Sequence, residues 1–230
     1  MDPLNLKKLN EARNARKACV LVSDLVSGRD RLIVEGDAVR GELGEAVAAT
    51  LQSGKSTLVI VGENEFFLNA HLPSPRLIVI GAVHISQALV PMAKIAGFDM
   101  IVIDPRTAFA TPERFSDVEL YADWPEDVLK HKPLDAYCAL AAVTHDPKID
   151  DFPIAEALHA GCFYVGALGS RKTHGKRLER LKAEGVSDED LARINAPIGL
   201  DIGASNPQEI AVAILAQMIA AYRKREIGTS

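Results

Sequence analysis

Gly81-Ala82-Val83-His84-Ile85-Ser86 follows an apolar run and opens a stretch with helical periodicity. A strand-to-helix turn of this kind can hold an anion. The first amides of a helix have no partner inside it, and they lie at the positive end of its dipole. A dinucleotide fingerprint would place glycine at the positions of Gly81 and Val83, and glycine or alanine at that of Ser86. Only Gly81 fits fully. Asp104 lies roughly 20 residues on, where a ribose-binding acid is expected, with Arg106 beside it. NAD(P) is therefore one reading of this turn, and a plain strand-to-helix turn without a ligand is another. A second turn, Gly166-Ala167-Leu168-Gly169-Ser170, runs directly into Arg171 and Lys172, which can add charge-assisted hydrogen bonds to a phosphate. Residues 171–182 hold six Lys or Arg against one Glu, in a chain of net charge -5. Such a patch suits a small anionic ligand better than a polyanion. Lys172, Lys176 and Arg180 also recur at helical spacing, so the part from Lys176 to Lys182 reads as a solvated face.

Three further features point to the same edge. Thr144-His145-Asp146-Pro147 ends an apolar run and cannot continue as central strand past the proline. It is either a ligand-contacting turn or one in which Asp146 bonds its own backbone. Asp201, between Gly199 and Gly203, marks special backbone geometry near a ligand or a helix start. His84, His145 and His174 could converge, and three imidazoles can bind a metal. None of them is paired within one helix, and no dedicated metal site is expected. His84 and His145 donate to a ligand or bond a neighbouring carbonyl, with equal support. No nucleophile–base pair is evident, so no residue is assigned as catalytic.

The elements that must position these residues fall into two groups. Residues 4–17 read as a polar helix, 18–24 and 31–36 as strands, 42–54 as a helix ended by Gly54, and 56–62 and 65–69 as strands. That is a small α+β domain over residues 1–72. Pro73 and Pro75 resist both helix and central strand, which makes residues 71–75 the linker. Beyond it, apolar runs at 76–82, 99–104, 134–144 and 162–169 alternate with helices at 84–98 and 151–160 and with the basic segment. This rhythm predicts βαβ crossovers and a Rossmann-type parallel α/β domain over 76–230. Pro91 predicts a kink or a late start in its helix. Ser187 with Asp190, and Asn206-Pro207-Gln208-Glu209, start the closing helices, the last over 207–225. The stripe Ile210, Val212, Ile214, Leu215 and Met218 is core or dimer interface. In a doubly wound sheet ligands bind at the carboxyl ends of the strands, so the turns at 81–86 and 166–170 are expected side by side.

Composition removes several classes. The 230 residues are 48% hydrophobic and 25% charged, an ordinary globular mixture rather than a disordered one. The acidic balance argues against a nucleic-acid partner. No apolar run approaches the roughly 18 residues of a membrane span. The first residues lack a secretory apolar region, and a cytoplasmic location is expected. Cys19, Cys138 and Cys162 are scattered, show no C-x-x-C spacing, and read as small core side chains.

LIVIGAVHISQAL, DPRTAFATPERF, THDPKIDDFP, YVGALGSRKTHGKRLERL and RINAPIGLDIGASNPQEIAVAILAQM occur in this order between residue 76 and about 222. With them the chain resembles the xanthine dehydrogenase accessory family, XdhC/CoxI. The resemblance implies a small N-terminal domain before a Rossmann-type one. It also implies a dimeric, non-catalytic cytosolic maturation factor. Such a factor binds molybdenum cofactor (molybdopterin) and delivers it to the apo-subunit of a molybdenum hydroxylase. That cofactor is a pterin carrying a dithiolene and a phosphate, so a binder needs amides and cations for the phosphate and polar edges for the pterin. Gly81 to His84, Asp104, Arg106, Thr144 to Asp146, Gly166, Gly169 to Lys172, His174 and Asp201 are the positions to which this binding is expected to fall. Two departures stand out. The family's first turn reads G-A-G-H, with glycine where Val83 stands. Its N-terminal Gly-Ser-Ser-Pro-Arg and Gly-Gly-Cys stretches are matched here by Leu25-Val26-Ser27-Gly28-Arg29 and Gly41-Glu42-Leu43-Gly44-Glu45, without a cysteine.

Overall fold

The computed structural model describes residues 2–225. The chain divides into two compact units, one running to Pro73 and joined again from Arg223, the other Ser74–Tyr222. Residues 226–230, included in the domain expected over 76–230, lie outside the described residues.

The first unit begins with α1 (Pro3–Asn14), whose cap residue Asp2 accepts the Leu4 amide at 2.7 Å. Then come β1 (Cys19–Asp24), β2 (Asp30–Val34), α2 (Gly41–Ser53), β3 (Thr57–Val61) and β4 (Asn64–His71). The strands form an antiparallel sheet in the order β2-β1-β4-β3. Leu9 and Ala12 of α1 pack on Cys19, Leu21 and Leu32. Gly54 stops α2 in the left-handed conformation, at φ +67°, where a glycine carries no Cβ penalty.

The second unit holds β5 (Arg76–Ile80), α3 (His84–Ile95), β6 (Asp99–Ile103), β7 (Glu119–Tyr121), α4 (Pro125–His131) and β8 (Cys138–Ala142). It continues with α5 (Pro147–His159), β9 (Tyr164–Ala167), α6 (Arg171–Ala183), α7 (Asp188–Leu191), β10 (Ile194–Asn195) and α8 (Pro207–Lys224). All six strands are parallel, in the order β10-β9-β8-β5-β6-β7. Counted from β5, this is the doubly wound Rossmann order, and the switch point falls between β5 and β8. The strands are apolar on both faces because both are covered. Ile78, Ile80, Ile103 and Leu140 pack with Ile154 and Leu158 of α5. Their alternating neighbours Leu77, Val79, Val102 and Ala141 pack with Leu89 of α3 and with Ile214 and Met218 of α8.

Several local expectations shift. α5 starts at Pro147 rather than near 151, because Asp146 caps it and proline suits a first helical position. α3 starts at His84, so Pro91 does not delay it. β7, α4 and β10 were not anticipated, since segments of three, seven and two residues are too short to show a period. Val212 is exposed, while Ile214 and Met218 are core. The turns at 81–86 and 166–170 are not adjacent: β8 lies between β5 and β9, so the turn at 144–146 separates them. Ser187 accepts the Asp190 amide at 3.1 Å, and Asn206 accepts that of Glu209 at 2.9 Å, as the capping patterns predict. Among the described residues, no helix is long and apolar enough to cross a membrane.

Gly81 sets how closely β5 and β8 end together. Its φ is +120°, and a Cβ there would lie 2.9 Å from Thr144 Cγ2 and 3.2 Å from Val143 Cγ2. Gly81→Ala should therefore lower the unfolding free energy by about 1–3 kcal/mol in urea titrations. Gly97→Ala, at φ +87° but facing open space, should cost less.

Candidate functional site at the carboxyl edge of the parallel sheet

The first turn is built around Asp104, which is fully buried at the end of β6. Its Oδ2 accepts the Ala82 amide at 2.8 Å and Arg106 Nη2 at 2.8 Å. Its Oδ1 accepts the Arg106 amide and Nε, both at 2.9 Å. Burial alone would raise the carboxyl pKa, but the hydrogen bonds from Arg106 and Ala82 outweigh it and hold the group below its ordinary value. Arg106 in turn lies over the Phe109 ring, 4.6 Å from its centroid. Both carboxylate oxygens are thus occupied within the protein, and neither is presented to a ribose. Val83, the cap residue of α3, is extended and supplies no side-chain acceptor. The first-turn amides of α3, from His84, Ile85 and Ser86, therefore lack a capping side chain. Ser86 is buried and spends its hydroxyl on the Gly81 carbonyl.

The β8 turn abuts this one through Gly81 and Thr144. The Thr144 hydroxyl donates to Asp150 Oδ1 at 2.7 Å and accepts the Asp146 amide at 3.0 Å. Asp146 accepts the Lys148 amide at 3.0 Å and so caps α5. Between them His145 is exposed and held at φ +65°, a left-handed conformation uncommon outside glycine.

In the β9 turn Gly169 has φ +141°, and Ser170 caps α6 by accepting the Thr173 amide at 3.2 Å. Arg171 and Lys172 are exposed in the first turn of α6, and His174 is half-buried. Gly166 cannot be larger, because a Cβ would meet Ile198 at 2.7 Å. α5 and α6 are thus capped by their own residues, whereas α3, at the switch point, is not. Asp201 is exposed on the loop after β10, between Gly199 and Gly203 at φ +93° and +72°. Asn206, not Asp201, caps α8.

Residues 77–218 match the family model described as the XdhC Rossmann domain. The chain belongs to the XdhC family. It is 33% identical over 163 residues, 69% of its length, to the uncharacterized protein YqeB of Escherichia coli. It is 30% identical over 224 residues, 93% of its length, to a probable xanthine dehydrogenase subunit from Bacillus subtilis. Against the molybdenum cofactor insertion chaperone PaoD of Escherichia coli it is 28% identical over 146 residues, 64% of its length. The chain spans 29%, 63% and 40% of those three relatives. The crystal structure of a xanthine dehydrogenase from Bacillus halodurans superposes with a TM-score of 0.67 at 26% identity, covering 99% of this chain and 66% of that one.

In this XdhC domain the structure adds two residues that the sequence reading passed over. Asp150 is fully buried in α5, and Arg177, read as part of a solvated face, is only 2% exposed. Arg177 Nη2 donates to the Leu168 carbonyl at 3.1 Å, beneath the β9 turn, and its Nε lies 3.8 Å from Asp151 Oδ1. Asp151 is itself held by Arg180 at 2.5 and 3.1 Å. The signal was present: His174, Arg177 and the fully buried Leu181 lie three and four apart, as on the inward stripe of a helix. Cys138 and Cys162, unremarkable in spacing, also meet. Both thiols lie in one core cluster, Cys138 Sγ donates to Asp135 Oδ1 at 3.2 Å, and the interaction between the two thiols lowers the Cys138 pKa and raises that of Cys162.

Burial pushes the Asp150 carboxyl from 3.8 up to about 6, with the Thr144 hydroxyl and the Arg177 charge partly offsetting it. The folded state therefore binds this proton more tightly than the unfolded state. That contribution favours folding below about pH 4 and is lost as pH rises through about 6. At neutral pH it costs on the order of 2–3 kcal/mol. Unfolding titrations of Asp150→Asn and the unmodified chain, compared between pH 4 and 7, should show this downward component in the unmodified chain alone.

Proposed function

We propose that this chain is an accessory factor, not an enzyme, that binds molybdenum cofactor and hands it to the apo form of a molybdenum hydroxylase. The observation that carries the reading is the uncapped start of α3 at the switch point, where a Rossmann sheet receives its ligands. The amides of His84, Ile85 and Ser86 suit the phosphate of the cofactor. Arg171 and Lys172, exposed at the start of α6, add cations along the same edge. One relative, PaoD, is a molybdenum cofactor insertion chaperone, which supports the same cargo.

The chain would hold the organic part of this cargo rather than its metal. Cys19, Cys138 and Cys162 are all buried, so no thiolate is offered at the carboxyl edge. A nicotinamide dinucleotide has less support there. Val83 occupies the position at which glycine lets a pyrophosphate approach the backbone, and Asp104 is enclosed by Arg106.

Purified chain mixed anaerobically with released molybdenum cofactor should retain it through gel filtration and slow its oxidation. Absence of retention contradicts the reading. Val83→Asp should separate binding from folding. A carboxylate at the cap position satisfies the α3 amides and repels a phosphate, so cofactor retention should fall at least about tenfold. The melting temperature should change little, because a cap worth about 1 kcal/mol offsets the lost packing of the half-buried Val83 against the core.

A further inference from the structure

Asp150 Oδ2, Arg177 Nε and Arg177 Nη1, beneath the β8 and β9 turns, have no hydrogen-bond partner in the protein, and neither has His174 Nδ1 one turn earlier in α6. Asp150 and Arg177 are 0% and 2% exposed. Buried groups of this kind are almost always paired, and leaving them unpaired is costly. Their other atoms fix where they lie. Asp150 Oδ1 bonds Thr144, which abuts Gly81, and Arg177 Nη2 bonds the Leu168 carbonyl. The free atoms therefore sit where the β8 and β9 turns come together, next to the switch point. Asp151, the neighbour of Asp150 in α5, lies 3.8 Å from Arg177 Nε, which brings the two helices together at this point.

We propose that Asp150 and Arg177 form a subsite that reads the aminopyrimidinone edge of a pterin ring, an inference that rests on the cofactor-binding reading above. A carboxylate oxygen and two guanidinium nitrogens under the same pair of turns offer one acceptor and a set of donors. A second phosphate there would face the carboxylate, which disfavours an anion. A neutral heterocycle with ring N–H and amino donors next to a carbonyl satisfies both groups at once. The pair is sealed from solvent, so the ring edge enters as the turn above it shifts. His145, held in a left-handed conformation at φ +65°, is the strained residue of that turn. The division of labour is then plain: α3 holds the phosphate, and Asp150 with Arg177 reads the ring.

Pterin and lumazine, which carries a carbonyl in place of the 2-amino group, are the probes. Fluorescence titration of the full chain should show at least tenfold preference for pterin. Asp150→Asn, which exchanges an acceptor for a donor, should erase or reverse that preference. Arg177→Lys, which keeps the charge but loses the fork, should weaken both ligands tenfold or more. Equal binding of the two pteridines by the unmodified chain, or an unchanged preference in a folded Asp150→Asn, overturns the subsite and leaves these atoms to internal water. Should Asp150→Asn not fold, the selectivity of the unmodified chain and the Arg177→Lys result decide. Cofactor retention without any pteridine selectivity overturns this inference alone. Loss of cofactor retention overturns the broader reading instead.

Discussion

One buried carboxylate organises the carboxyl edge of the parallel sheet. Asp104 accepts the Ala82 amide and the Nε and Nη2 edge of the Arg106 guanidinium, so the chain leaving β5 is tied to the chain leaving β6. An unpaired carboxylate in that position would be costly, and pairing with a hydrogen-bonded arginine offsets the desolvation. The tie has a geometric result. Ala82 is committed, Val83 follows in an extended conformation, and α3 begins with amides that no side chain of its own takes. An acid that the dinucleotide pattern assigns to a ribose here shapes the turn instead.

Gly81 and Thr144 carry that geometry across the switch point. Close contact between them brings the β8 turn against the first turn, and the Thr144 hydroxyl passes the connection on to Asp150. The Asp150 and Arg177 pair then lies under the β9 turn through Leu168. Local stability is given up along this path: a left-handed His145, a carboxyl whose pKa is raised by burial, and a guanidinium with unmatched donors. Strain and unpaired polar groups concentrated at one sheet edge, over an apolar core, are what the binding role proposed above would require.

Much of the architecture was legible in the sequence because its signals are local and strong. Continuous apolar runs marked strands covered on both faces, and Asn206-Pro207 and Ser187-Asp190 marked helix starts. The order of the strands was not local information. Nothing in the period of residues 134–144 says that β8 inserts between β5 and β9, and the two glycine turns were accordingly placed too close together. Asp146 bonds its own backbone, one of the two readings its sequence allowed, and Ser170 caps α6, so of the three turns after β5, β8 and β9 the α3 start is the one without a side-chain cap. Arg177 escaped because a basic residue in a basic run looks solvated, although its spacing from Leu181 placed it inward. The pairing of Cys138 with Cys162 depends on neighbouring strands and has no linear signature. Family membership, by contrast, was carried by whole motifs in fixed order and was readable directly.

Amide hydrogen exchange at the start of α3 tests the central claim most directly. In the free chain, the His84, Ile85 and Ser86 amides should exchange fast relative to the later turns of the helix. Adding molybdenum cofactor anaerobically should slow them at least tenfold, while the Thr173 amide, already bonded to Ser170, changes less. Protection of these three amides in the free chain, or no change when the cofactor is bound, would contradict the account.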